Sequence, residues 1–94
     1  MIVLSPDAVE DIERLRSFLE RTSPDAAQRA MTAILAAIER LTEFPNLGMS
    51  TEDIDIRQIV IRFGASGYIV RYAAMIDSKD ILITRIWHGR ETRT

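Results

Sequence analysis

Apolar positions in the first half of the chain recur at helical spacing. Ala8, Ile12, Leu15 and Leu19 stand four, three and four residues apart, with Val9 and Phe18 widening the stripe. This predicts an amphipathic helix ending near Arg21. A second stripe runs through Ala27, Ala30, Met31, Ile34, Ala37, Ile38 and Leu41. Both stripes open on the same tripeptide, Ser5-Pro6-Asp7 and Ser23-Pro24-Asp25. Serine caps the free N–H groups, proline fits the first helical turn, and aspartate favours the positive helix end. Pro45 and Gly48 stop the second helix. A link of two to three residues predicts an antiparallel helical hairpin over about 6–44. Alanines at 30, 33, 36 and 37 permit close approach of the two helices.

After a polar, acidic loop at 46–55 the period changes to that of strands. Arg57–Phe63 is rich in β-branched residues, Gly64–Gly67 is a turn, and Tyr68–Met75 is a second strand. Asp77–Asp80 is a second turn and Ile81–His88 a third strand, a meander over about 57–88. Ile2-Val3-Leu4 is a short apolar run of strand type. The expectation is one α+β domain over 1–94 in the order β-α-α-β-β-β. Its N-terminal helical hairpin packs on a small antiparallel sheet, and a short basic tail at 89–94 follows.

Composition narrows the function. With 47% apolar and 28% charged residues the chain has the balance of a soluble globular domain. No apolar run reaches the roughly 20 residues of a membrane span, and the N-terminus lacks the pattern of a signal peptide. A cytoplasmic location is expected. The absence of cysteine excludes disulfides and thiolate chemistry, and a single histidine excludes the usual zinc constellations. No metal or cofactor site is expected, since no Gly-rich loop opens a helix after a strand. The net charge of −2 conceals an asymmetry. Residues 1–56 hold eleven acids against five arginines, a net −6, while residues 57–94 hold seven bases against three acids, a net +4. Eleven of the twelve bases are arginine, whose planar donor fork suits carboxylates and phosphates.

Element order and motifs together resemble the RelE/ParE superfamily, the toxins of type II toxin–antitoxin systems. The marks are Ala8, Asp11-Ile12, Leu15 and Phe18-Leu19, then Pro24 and Ala27, then Ile34, Ile38 and Leu41 leading into Pro45-Asn-Leu-Gly48. The sheet adds Arg57, Tyr68-Ile-Val-Arg-Tyr72, and Ile81–Ile86 followed by His88 and Arg90. The resemblance implies one of two activities. RelE-like toxins cleave mRNA in the ribosomal A site, whereas ParE-like toxins bind and poison DNA gyrase. The ending Arg85-Ile-Trp-His-Gly-Arg90 resembles the ParE branch more closely.

Elementary chemistry favours the same branch. RNA cleavage at the 2′-hydroxyl needs a base, an acid and charge stabilisers. Arg57, Arg62, Arg71 and His88 are the alternative catalytic set, but one histidine cannot be both acid and base. A pI of about 5.3 also suits a polyanionic ribosome poorly. The ParE-like expectation is a binding protein whose target surface is Arg57, Arg62, Arg71, Arg85, Trp87, His88, Arg90 and Arg93. Its cognate antitoxin would be ParD-like, with a ribbon-helix-helix DNA-binding half. Direct DNA binding by the toxin alone and membrane association are not expected. The expected antitoxin surface is helix one: Ile12, Leu15, Phe18 and Leu19, rimmed by Arg14 and Arg16. Structural roles are the competing expectation. Arg57 shares a face with Ile59 and Ile61 and would end the core face bonded to a carboxylate or helix terminus, and Trp87 would cap the core near a sheet edge.

Overall fold

Serine capping and strand alternation build the elements much as the sequence predicts. A computed structural model describes residues 1–75 and 77–91. In chain order the elements are β1 (Ile2–Leu4), α1 (Pro6–Thr22), α2 (Pro24–Glu43), β2 (Met49–Ser50), β3 (Arg57–Phe63), β4 (Ser66–Ala74) and β5 (Ile81–His88). Ser5 Oγ accepts the Ala8 N–H at 3.0 Å, and Ser23 Oγ accepts the Ala26 N–H at 3.2 Å. Ser23 alone joins the helices, because its N–H also closes α1 on the Leu19 carbonyl at 2.8 Å. One extended residue thus does the work of the longer link that was expected.

The predicted antiparallel meander is present, but the sheet extends beyond it at both edges. Its five strands run in the order β1-β5-β4-β3-β2. β1 pairs parallel with β5, Ile2 level with Ile81 and Leu4 with Ile83, so the sheet is mixed. The expected acidic loop contributes β2, which pairs with Arg57 and Gln58 of β3. Neither pairing is legible locally, since a three-residue and a two-residue strand carry no period of their own. Both helices lie on one face of the sheet. Ala8, Leu15, Ala30, Ile34, Ile38 and Leu41 pack there against Tyr68, Val70, Tyr72, Ile83 and Ile86.

β5 does not keep a strict two-residue period. Val70 faces Ile86 and Tyr72 faces Ile83, leaving Thr84 as the extra residue of a bulge. The bulge lets Ile81, Ile83 and Ile86 all point into the core. Ser5 secures it, donating its hydroxyl to the Thr84 carbonyl at 2.9 Å and its N–H to the Ile83 carbonyl at 2.9 Å.

The Pro45–Gly48 segment is docked from below. Tyr72 donates its hydroxyl to the Pro45 carbonyl and accepts the Gly48 N–H, each at 2.8 Å. Gly48 packs so closely that a Cβ there would lie 2.7 Å from that hydroxyl. Arg57 donates to the Gly48 carbonyl at 2.8 Å. Its expected place at the end of the core face is correct, but its partner is a loop carbonyl rather than a carboxylate or helix terminus. Replacing Tyr72 by Phe should lower unfolding free energy by about 1–2 kcal/mol, because the buried Gly48 N–H loses its acceptor. Urea unfolding of the two proteins checks this.

Candidate functional site

Where β1 ends, the edge of β5 continues without a neighbouring strand among the described residues, and α1 packs against it. Asp11 lies on the apolar face of α1 and is 2% exposed. Its Oδ2 accepts the Ile86 backbone N–H at 2.8 Å, the role an edge strand would otherwise fill. Arg85 Nε donates to Oδ2 at 2.8 Å and Arg85 Nη2 to Oδ1 at 3.1 Å, while Arg14 Nη1 reaches Oδ1 at 2.6 Å. Arg14 Nη2 also reaches the Ile86 carbonyl at 3.3 Å. The pair Asp11 and Arg14 therefore satisfies both polar backbone groups of Ile86. Burial by itself raises the Asp11 pKa. Hydrogen bonds from Arg85, Arg14 and the Ile86 N–H outweigh it and hold the carboxyl below the usual aspartate value.

Beyond this anchor a groove of about 930 Å³ opens between α1 and the adjoining ends of β4 and β5. One wall is Arg14, Leu15, Phe18 and Leu19 of α1. The other is built from Ser66 and Tyr68 of β4, Arg85, Trp87 and His88 of β5, and the turn residues Arg90 and Glu91. Phe18 is 63% exposed, a large aromatic surface left beside a concavity. Tyr68 is 2% exposed and stacks edge-on against His88, with ring centroids 5.3 Å apart. Burial, with a smaller contribution from the negative charge of Glu91, pushes the Tyr68 phenol up. His88 Nδ1 accepts the Arg90 N–H at 3.1 Å. Glu91 closes the end of the groove, its carboxylate 3.0 Å from Arg14 Nη2 and its N–H bonded to the His88 carbonyl at 2.9 Å.

The expected site residues fall in several places. Of the helix-one set, Phe18, Leu19 and Arg14 line the groove, and Leu15, though a wall residue, is almost wholly core. Ile12 packs against the core, and Arg16 lies outside the groove, paired along its own helix with Glu13 and Glu20. The expected target set is divided. Arg57 is committed to the Gly48 loop and Arg85 to Asp11. Arg71 lies on the helix-free face of the sheet, 5.4 Å above the Trp87 ring and bonded to Gln58 and Glu52. Arg62 is on that same face, level with Gly67, and has no partner among the described residues. Trp87 pairs with Ile69 on the face opposite Ile86. His88 and Arg90 belong to the groove, and Arg93 lies outside the described residues. The alternative catalytic set does not converge. Arg62 and Arg71 occupy the opposite face from His88, and Arg57 lies four positions along β3 from Ile61, the residue level with Tyr68 and His88. At about 3.3 Å per residue that is roughly 13 Å.

Sequence reasoning missed Asp11 as an anchor, and Ser66, Tyr68 and Glu91 as groove residues. Asp11 had a signal, an acid standing within the stripe of Ala8, Ile12 and Leu15. Glu91 had none, since only the fold brings it to Arg14.

This geometry can be set beside known proteins. A model of the family described as the ParE toxin of type II toxin-antitoxin system, parDE, matches residues 2–93. The chain belongs to this family. It is 39% identical over 92 residues to Toxin RelE1 of Caulobacter vibrioides, covering 98% of this chain and 96% of that one. It is 35% identical over 92 residues to Toxin RelE3 of the same organism, covering 98% and 97%. Among solved structures, the chromosomal ParDE system of P. aeruginosa superposes with a TM-score of 0.70 at 18% identity, covering 93% of this chain and 92% of that one. The E. coli RelBE complex does so at 0.59 with 15% identity, covering 99% and 98%. The two structural likenesses carry the fold, a helical pair on a mixed sheet. Among the described residues of this toxin, no helix is long and apolar enough to cross a membrane.

The Asp11 anchor has a signed pH dependence. With its folded pKa below its unfolded one, its stabilisation is complete above the unfolded pKa and is lost as pH falls through the folded pKa. Asp11→Ala should cost about 2–3 kcal/mol near neutral pH, since Ile86 N–H loses its acceptor while both arginines can still reach water. Urea titrations between about pH 6 and pH 3 should show the gap between the two proteins closing with acid.

Proposed function

We propose that this toxin acts by binding DNA gyrase and blocking replication, and that a ParD-like antitoxin neutralises it by seating a segment in the α1–β5 groove. The observation that carries the binding mechanism is the scatter of Arg57, Arg62, Arg71 and His88, the groups an RNA-cleaving site would need together. The match of the ParE family model over residues 2–93 supports the same branch. The target surface proposed is the helix-free sheet face and its rim, with Arg62, Arg71 and Arg90, extended by Arg93 on sequence grounds alone; Trp87, 7% exposed, lies beneath Arg71. Arg62 and Arg90 are its accessible cations, having no partner among the described residues. The antitoxin surface proposed is Phe18, Leu19 and Arg14. Exposed Phe18 beside a concavity has the character of a hydrophobic anchor site with charged edges.

A second reading, the RelE-like ribosome-dependent mRNA endonuclease, is favoured by the names of the two Caulobacter relatives. One paired experiment separates the readings. Purified toxin is added to gyrase with supercoiled plasmid, and in parallel to programmed ribosomes. Gyrase inhibition without mRNA cleavage is the expected result, and cleavage without inhibition overturns it. The double variant Arg62→Glu, Arg90→Glu should weaken gyrase inhibition by about tenfold with an unchanged circular dichroism spectrum.

A further inference from the structure

We infer that the groove recognises an acidic residue of the antitoxin by carboxylate exchange at Arg14, with Glu91 of this chain acting as the internal competitor. The inference rests on the groove being the antitoxin seat proposed above, and it specifies the chemistry of what sits there.

Arg14 has two different duties. Nη1 is committed inward, 2.6 Å from Asp11, as part of the anchor that holds α1 to β5. Nη2 holds the Ile86 carbonyl at 3.3 Å and also faces the groove end, where the Glu91 carboxylate meets it at 3.0 Å. The inward bond belongs to the fold, because Asp11 is buried and also holds Arg85 and the Ile86 N–H. The outward bond is of another kind. Glu91 is reached through a short turn after β5, and that turn is closed by the bond from its N–H to the His88 carbonyl. Exchanging the outward carboxylate therefore leaves the anchor intact.

The rest of the groove is suited to the same ligand chemistry. Tyr68 is 2% exposed, lines the groove, and its hydroxyl has no partner among the described residues. As a neutral phenol it offers a proton to an incoming acceptor. Arg90 stands at the rim with its guanidinium unpaired among the described residues. Among the described lining residues Glu91 is the only carboxylate. Cations and a free donor thus surround one anion, and this chain supplies it. Phe18 and Leu19 form the apolar wall beside them.

The occupant that fits is an antitoxin segment with apolar side chains against Phe18 and Leu19 and an Asp or Glu placed on Arg14 Nη2. Glu91 gives the empty groove a self-satisfied state. A partner carrying the acid replaces one charge-assisted bond with another, whereas a purely apolar segment gains nothing at Arg14. Discrimination in favour of acidic segments comes from the Tyr68 hydroxyl and the Arg90 guanidinium, which Glu91 leaves without a partner among the described residues and an incoming acid can engage as well. The competitor also lowers the affinity of the correct partner, since its own contact must break first.

The test uses the full chain and the antitoxin that co-purifies with it, separated in denaturant and titrated back by calorimetry. Glu91→Gln should tighten the complex about two- to fivefold, the range of a partly exposed ion pair, and the gain should shrink with added salt. In an Arg14→Gln background the same change should have no effect, a coupling that a purely structural role for Glu91 does not produce. If Phe18→Ser weakens binding tenfold or more while Glu91→Gln leaves it unchanged or weaker, the exchange is wrong and the groove stands. If Phe18→Ser also changes nothing, the groove is not the antitoxin seat and both proposals fall. Should Arg14→Gln fail to fold, Glu91→Gln alone decides the exchange.

Discussion

The buried carboxylate of Asp11 is the interaction on which the rest of this structure depends. A helix crossing the open edge of a sheet strand has to satisfy that strand's backbone groups without being a strand itself. Asp11 and Arg14 do so for Ile86, one accepting its N–H and the other donating to its carbonyl. Without them α1 would cover the unpaired N–H and carbonyl of Ile86, a costly arrangement away from water. The anchor also adjoins the groove, since Arg14 and Arg85 belong to both.

The same residues join stability to recognition. Arg14 touches the core anchor with both terminal nitrogens and the groove end with one of them, and Arg85 is held by Asp11 from the sheet side. A cation placed by a buried acid is pre-organised, so little conformational freedom remains to be lost when a partner binds. The local bulge at Thr84 serves the same end. By shifting the register of β5 it turns Ile86 inward and sets Arg85 level with Arg71, from where its long side chain reaches around the strand edge to Asp11.

Several arginines that drew attention in the sequence have partners within the fold. Arg57 closes the Pro45–Gly48 segment together with Tyr72, and Arg71 braces Gln58, Glu52 and the Trp87 ring. The excess of bases after residue 57 is therefore not a single basic patch. Part of it is consumed in holding loops and edges, and Arg62, Lys79 and Arg90 are what remain exposed among the described residues.

The helices and the three-strand meander were determined by the sequence alone, because their signals are local. Each Ser-Pro-Asp start acts on the N–H groups immediately after it, and each apolar stripe selects its own face. Family membership was legible for the related reason that motif order survives along nearly the whole chain. The strand bounds of Arg57–Phe63 and Ile81–His88 follow from β-branched runs between turns. Other features existed only once distant segments met. Parallel pairing of β1 with β5, the partner of Arg57, the role of Asp11 and the arrival of Glu91 at Arg14 join residues between nine and about eighty positions apart. The spacing of Ile81, Ile83 and Ile86 did carry one trace of this, a break in the strand period that marks the bulge. For the rest, a side chain's partner is chosen by packing in three dimensions, and no local pattern records that choice.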